Sequence, residues 1–298
     1  MAASGSGRKP KPLHKLTRAN WKRAAVRVYS RFDEVSLTDR AAALAYYGFL
    51  SLFPAFIVAI AVLALFGNYP ETYRSIIDTL REAAPGSAVD TIDTALAGVL
   101  RGNSAGSLLG IGLLTAFIAA SGAVGASVRA LDVIYKTTKR SGVKGILHDN
   151  LTRLWLTLAL MALFMLAVAS LLLAGPLFGA ISEAAGLGDG GRTMVRLLRY
   201  PVGLAAVVGA MLLLYTMGPT GTRRRPLDHL PGALLAAALW LLASALFSFY
   251  VDNFGRYDKT YGTLGAVIVL LIWIYVGAVA LLVGALANRE LLQVRRGR

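Results

Sequence analysis

Arg129 and Asp132 stand three residues apart at the end of a long apolar run, a spacing that puts a guanidinium and a carboxylate on one helix face. The simplest chemistry for such a pair is an internal ion pair, and the sharper one is a substrate or proton site. A second polar set starts at Asp39-Arg40 and continues through Tyr46, Tyr47 and Ser51 to Pro54 in roughly one-turn steps. It would line a groove entered at Arg40; alternatively Arg40 snorkels to the interface and the tyrosines join an aromatic belt. A third set, Asp252, Tyr257, Asp258, Tyr261 and Gly262, crowds one connection near the end of the chain, where it faces water or forms an outer gate. Polar groups at membrane depth are expensive to hold there, so they mark candidate sites. The candidate substrate or gating residues are therefore Arg40, Tyr46, Tyr47, Ser51, Pro54, Arg129, Asp132, Tyr261 and Gly262.

Signatures of catalysis are missing from the sequence. It holds no HExxH, no GxxxxGK[ST] loop and no GxSxG elbow. The three histidines, His14, His148 and His229, are far apart and read as solvated loop side chains. There are no cysteines, which removes disulfides, thiolate metal sites and cysteine nucleophiles together. The expectation is a protein that is not an enzyme and takes no cofactor or metal.

The elements that position these residues follow from composition. Of 298 residues, 56% are hydrophobic and 16% charged, against about 25% charged in a soluble domain. Mean hydropathy is +0.60. Six runs free of Asp, Glu, Lys and Arg are long enough to cross the hydrocarbon core: Ala41–Pro70, Gly102–Val128, Leu154–Ser182, Tyr200–Thr222, Leu230–Val251 and Thr260–Asn288. Backbone groups in lipid must bond within the chain, so each run reads as helix. The fold class is all-α, a polytopic integral membrane protein with about six spans, near 41–67, 105–131, 154–180, 200–218, 230–251 and 262–286.

Around this transmembrane domain of 41–290, residues 1–16 read as a disordered basic tail and 291–298 as a second basic tail. Residues 17–40 read as an interfacial amphipathic helix, with Trp21, Ala24, Ala25, Val28 and Phe32 near helical spacing among arginines and lysines. The long connection 69–101 fits two short amphipathic helices broken at Pro85-Gly86.

Charge placement sets orientation. The four segments on one side of the spans hold 23 Lys/Arg and 7 Asp/Glu, a net of +16; the three on the other hold 8 and 9, a net of −1. By the positive-inside rule both termini are cytoplasmic. Topology therefore accounts for the whole excess of +15, which weighs against a nucleic-acid partner. Anionic headgroups are the nearer partner for the basic segments.

The ordered motifs carry a family resemblance. Ala42-Ala43-Leu44-Ala45-Tyr46-Tyr47, then Leu50-Ser51-Leu52-Phe53-Pro54, resemble the first span of the YihY/BrkB family of bacterial inner-membrane proteins. Ala130-Leu131-Asp132-Val133-Ile134-Tyr135, Pro231-Gly232-Ala233 with Trp240, and Tyr261-Gly262-Thr263-Leu264-Gly265-Ala266-Val267-Ile268 continue it. So do Leu271-Ile272-Trp273-Ile274-Tyr275 and Gly284-Ala285, and the likeness covers about residues 20–290. The resemblance implies a six-span fold in the bacterial cytoplasmic membrane, self-association, and labels of virulence factor and ribonuclease BN. The residues here give the nuclease label no metal or acid–base cluster. Two positions depart from the family pattern: Leu286 follows Gly284-Ala285 where the pattern has Glu, and Asp132 stands where it has Asn.

Two functions fit these readings: a transporter or flippase for a lipid-like amphipathic substrate, or a non-transporting envelope scaffold. Membrane lipids and a second copy of the chain are the expected partners.

Overall fold

A charge-free run in lipid has one economical conformation, and the computed structural model shows it. The structure describes residues 17–66, 105–137, 142–172, 188–220, 225–254 and 263–297, and among them there is no strand. Pro54 lies in a described helix, whereas Tyr261, Gly262 and the connection 69–101 lie outside the described residues.

Among the described residues seven helices follow one another: α1 (Arg18–Glu34), α2 (Leu37–Phe66), α3 (Ala105–Tyr135), α4 (Val143–Leu172), α5 (Asp189–Met217), α6 (Pro226–Phe254) and α7 (Thr263–Arg295). Among the described residues five segments are apolar and long enough to cross a membrane: Leu114–Tyr135, Gly145–Ala167, Tyr200–Met217, Pro226–Phe249 and Val267–Arg295. They overlap the second to sixth expected spans. The first falls on α2, a 30-residue helix with no charged residue from Ala41 onward. Large apolar side chains remain uncovered on these helices, among them Leu154, Trp155, Leu158 and Leu166 of α4 and Leu241, Leu242 and Leu246 of α6. Such a surface suits hydrocarbon rather than water.

Helices α3 to α7 have 29 to 33 residues each, or roughly 45–50 Å at 1.5 Å per residue. That exceeds the ~30 Å hydrocarbon core, so the helices continue past their apolar runs. Local chemistry ends them. Helix α3 closes in a Schellman turn: Thr137 N–H bonds the Asp132 carbonyl at 3.0 Å, Lys136 N–H the Val133 carbonyl at 3.2 Å, and Lys136 adopts φ 50°. Between α1 and α2 the chain turns at Ser36, φ 45°, whose N–H bonds the Asp33 carbonyl at 2.9 Å.

The chain divides into two compact units, Met1–Ala42 with Val124–Ser244 and Val276–Arg298, and Ala43–Ala123 with Ala245–Tyr275. In the first unit α4 and α5 pack along each other. Its centre is the last part of α7, where every residue from Gly284 to Leu291 is buried. A helix buried on all sides has neighbours on all sides. In the second unit Tyr47 packs against Gly122, 3.3 Å from where a Cβ would stand, and Ile274 lies 3.1 Å from the same point on Gly48.

Candidate functional site

The buried run at the end of α7 holds Asn288, Arg289 and Glu290 in succession, and each has a separate task. Asn288, with no exposed surface, faces α6. Its Oδ1 accepts the N–H of Gly232 at 2.7 Å, and its Nδ2 donates to the His229 carbonyl at 2.9 Å. Pro231 sits between those two residues inside α6. Proline has no N–H to give to the helix ladder, and Asn288 ties down the backbone on either side of it.

Glu290 is fully buried, and its Oε1 lies 3.4 Å from Nε of Arg31 on α1 and 3.7 Å from Nε of Arg289. Arg31 also approaches Glu34 at 3.8 Å, and Glu34 meets Lys136 at the end of α3, 3.4 Å away. A charged cluster thus joins α1, α3 and α7. At the margin Arg295 Nη1 donates to Asp228 Oδ1 at 2.7 Å, in the first turn of α6, where a carboxylate also suits the helix dipole.

Burial extends to His229, which has no exposed surface. Its Nδ1 and the Tyr135 hydroxyl share a hydrogen bond at 3.2 Å, and the two rings meet edge to face with centroids 5.5 Å apart. The expectation that His229 is a solvated loop side chain is corrected: α6 begins at Pro226, so this histidine lies inside a helix and against α3.

The residues expected from sequence fall into both units. Asp132 is a structural acceptor. Its Oδ1 receives Thr220 N–H at 2.7 Å, Thr220 Oγ1–H at 2.9 Å and Thr137 Oγ1–H at 2.6 Å, tying the end of α3 to the turn after α5. Arg129 lies on the exposed side of α3, with Nη1 3.3 Å from the point a Cβ on Gly125 would occupy. Arg40 is half-buried, and its Nε donates to the Val35 carbonyl at 2.7 Å, closing the α1–α2 corner. In the second unit Tyr46 is exposed and meets Tyr47 edge-on, centroids 5.6 Å apart. Ser51 spends its hydroxyl on the Gly48 carbonyl at 2.7 Å.

One prediction follows from the Asp132 geometry. Asp132→Ala removes an ionised acceptor of three bonds and should lower stability by about 1.5–3 kcal/mol. Asp132→Asn keeps the one oxygen that all three donors use, and should lose less than half of that. Thermal unfolding of the detergent-purified variants, followed by size-exclusion, measures both.

Comparison with known proteins now places the chain. A family model described as virulence factor BrkB matches residues 28–298. The chain belongs to the BrkB family. YfkH of Bacillus subtilis (strain 168), whose name calls it ribonuclease-like, is 30% identical over 267 residues, 88% of this chain and 92% of its own length. A UPF0761 membrane protein of Alkalilimnicola ehrlichii is 30% identical over 278 residues; the match takes in 91% of this BrkB-family chain but 59% of the relative. Another, from Aeromonas salmonicida, is 28% identical, with coverage of 87% and 85%. No solved structure matches the chain. This BrkB-family chain is a multi-pass membrane protein.

Sequence reasoning passed over Arg289 and Glu290, counting both among topogenic charges beyond the last span. One signal was available. The carboxylate that the family pattern places at Leu286 stands one helical turn further on at Glu290, on the same face.

Proposed function

We propose that this chain moves a lipid-like amphipathic substrate across the bacterial cytoplasmic membrane, as a transporter or flippase with both termini inside. The observation that supports the reading is Glu290, a carboxylate with no exposed surface on a membrane-spanning helix. Ionisable groups buried on spanning helices are costly to hold and mark candidate substrate or ion pathways. The test is reconstitution into vesicles carrying a headgroup-labelled fluorescent phospholipid, with an external quencher reporting exchange between leaflets. Wild type should speed exchange, and Glu290→Gln should slow it about tenfold, a change of ~1.4 kcal/mol in the barrier. Leu158→Ala, on an exposed apolar position of α4, should match wild type. Exchange no faster than in protein-free vesicles would remove the transport reading.

A second reading, an envelope scaffold, draws on α1. That helix leaves Trp21, Val26 and Tyr29 exposed beside Arg18, Lys22 and Arg23. In this reading deletion of residues 17–32 abolishes capture of partners while lipid exchange is unchanged. We propose no catalytic step. The ribonuclease-like name of the Bacillus relative is checked by incubating the purified chain with labelled RNA, which it should leave intact.

A further inference from the structure

Among the described residues of the first unit, three guanidinium nitrogens are shut away from solvent without an acceptor: Nε of Arg153, and Nη1 of Arg31 and of Arg289, the two arginines that flank Glu290. Arg289 is deeply enclosed, with 8% of its side chain exposed. Both arginines turn Nε toward Oε1 of Glu290, at 3.4 and 3.7 Å. Those separations exceed the ~2.7–2.9 Å of a charge-assisted hydrogen bond, so one carboxylate balances two cations without binding either closely. Both Glu290 oxygens likewise lack a hydrogen bond.

Among the described residues the enclosed charges do not cancel: Arg31 and Arg289 face Glu290, two cations against one carboxylate, while Glu34 and Lys136 pair with each other at the exposed edge. A buried positive surplus is costly unless an anion compensates it. Guanidinium donors in a pair match a tetrahedral oxyanion, whose several oxygens take a fork of N–H groups at once. Access is from the α1 side, since the Arg31 side chain is 25% exposed and that of Lys136 61%.

We infer that Arg31 and Arg289 form a binding site for a phosphate-bearing anion, with Lys136 on its exposed side and Glu290 as a built-in competitor. The phosphate belongs to a phospholipid headgroup or to a free phosphate compound; the two share this chemistry. Glu290 sets the affinity. By occupying both arginines at long range it keeps the site from holding its anion too tightly. The inference does not rest on transport, because a static site would use the same residues.

The test is binding by the full-length protein in detergent, followed by native mass spectrometry. The probes are dioctanoyl phosphatidic acid and inorganic phosphate, with dioctanoylglycerol as the phosphate-free control. Wild type should bind phosphatidic acid and not the diacylglycerol. Arg289→Lys keeps the charge but loses the fork, and should weaken binding about tenfold. Glu290→Gln removes the competitor and should tighten it by about as much. A residue that merely holds helices together would not give this opposite sign. Competition by inorganic phosphate assigns the site to a free phosphate compound, and its failure to compete assigns it to a headgroup; both uphold the site. No binding by wild type overturns the inference. So does Arg289→Lys binding as tightly as wild type, or Glu290→Gln binding no more tightly. Should Arg289→Lys fail to fold, Arg31→Lys takes its place, with the same expected loss and the same overturning result.

Discussion

Glu290→Ala should destabilise the protein by about 3–5 kcal/mol, the range for breaking a buried ion pair by removing one partner. The cause is less the lost attraction than what is left behind. Arg289, 8% exposed, and Arg31, 25% exposed, would keep their charges with no carboxylate between them. Arg31 retains Glu34 at 3.8 Å as a second partner, whereas Arg289 has Glu290 as its ion-pair partner among the described residues. The double change Arg289→Ala with Glu290→Ala should therefore cost less than the two single losses added together, by about 0.5–3 kcal/mol of coupling. Thermal unfolding in detergent gives all three values. Additive losses would mean that the two residues act separately and that the cluster is not a unit.

Gly232→Ala should fail in a way that local propensity predicts backwards. In a helix interior, glycine to alanine normally gains up to about 1 kcal/mol. Here the new Cβ would fall onto the Gly284 carbonyl and the Asn288 side chain. A Cβ on Gly284 would in turn meet the Gly232 carbonyl, Ala236 Cβ at 2.7 Å and the Tyr215 hydroxyl at 2.8 Å. Tyr215 has no room to move: it is fully buried, and its hydroxyl donates to the Leu281 carbonyl. Helices α6 and α7 would have to separate, and both Asn288 bonds would break with them. Overpacking and two lost buried hydrogen bonds together amount to about 3–5 kcal/mol. Gly110→Ala is the internal control, because nothing lies within 4 Å of its added Cβ. It should unfold at or above the wild-type temperature. A Gly232→Ala protein as stable as wild type would show that α6 and α7 do not approach this closely.

These two results mark the boundary of what could be read in the sequence. Pro231-Gly232-Ala233 and Gly284-Ala285 were legible as motifs, and small residues were legible as permitting close approach. That Gly232 faces Gly284, with Asn288 bridging them, required the packing of α6 on α7. Asp132 was legible as a polar residue at the end of a span. Its three donors were not, because Thr220 is 88 residues away in sequence. His229 reads as a loop residue because it is polar and stands next to an apolar run, whereas α6 begins three residues earlier at Pro226.

By itself the sequence determined that this is a membrane protein, that it is helical, and which family it belongs to. Those conclusions rest on one-dimensional quantities: the length of charge-free runs, the backbone's need for internal hydrogen bonds in lipid, and motifs in a fixed order. Only the tertiary structure decided the fate of the charges just beyond those runs. Arg289 and Glu290 look like a solvated basic end because the apolar stretch is over by then. Helix α7 continues to Arg295, and α1, α3 and α6 reach the same level, so those side chains are enclosed by protein instead of water. Burial depends on what packs around a residue, and no count along the chain contains it.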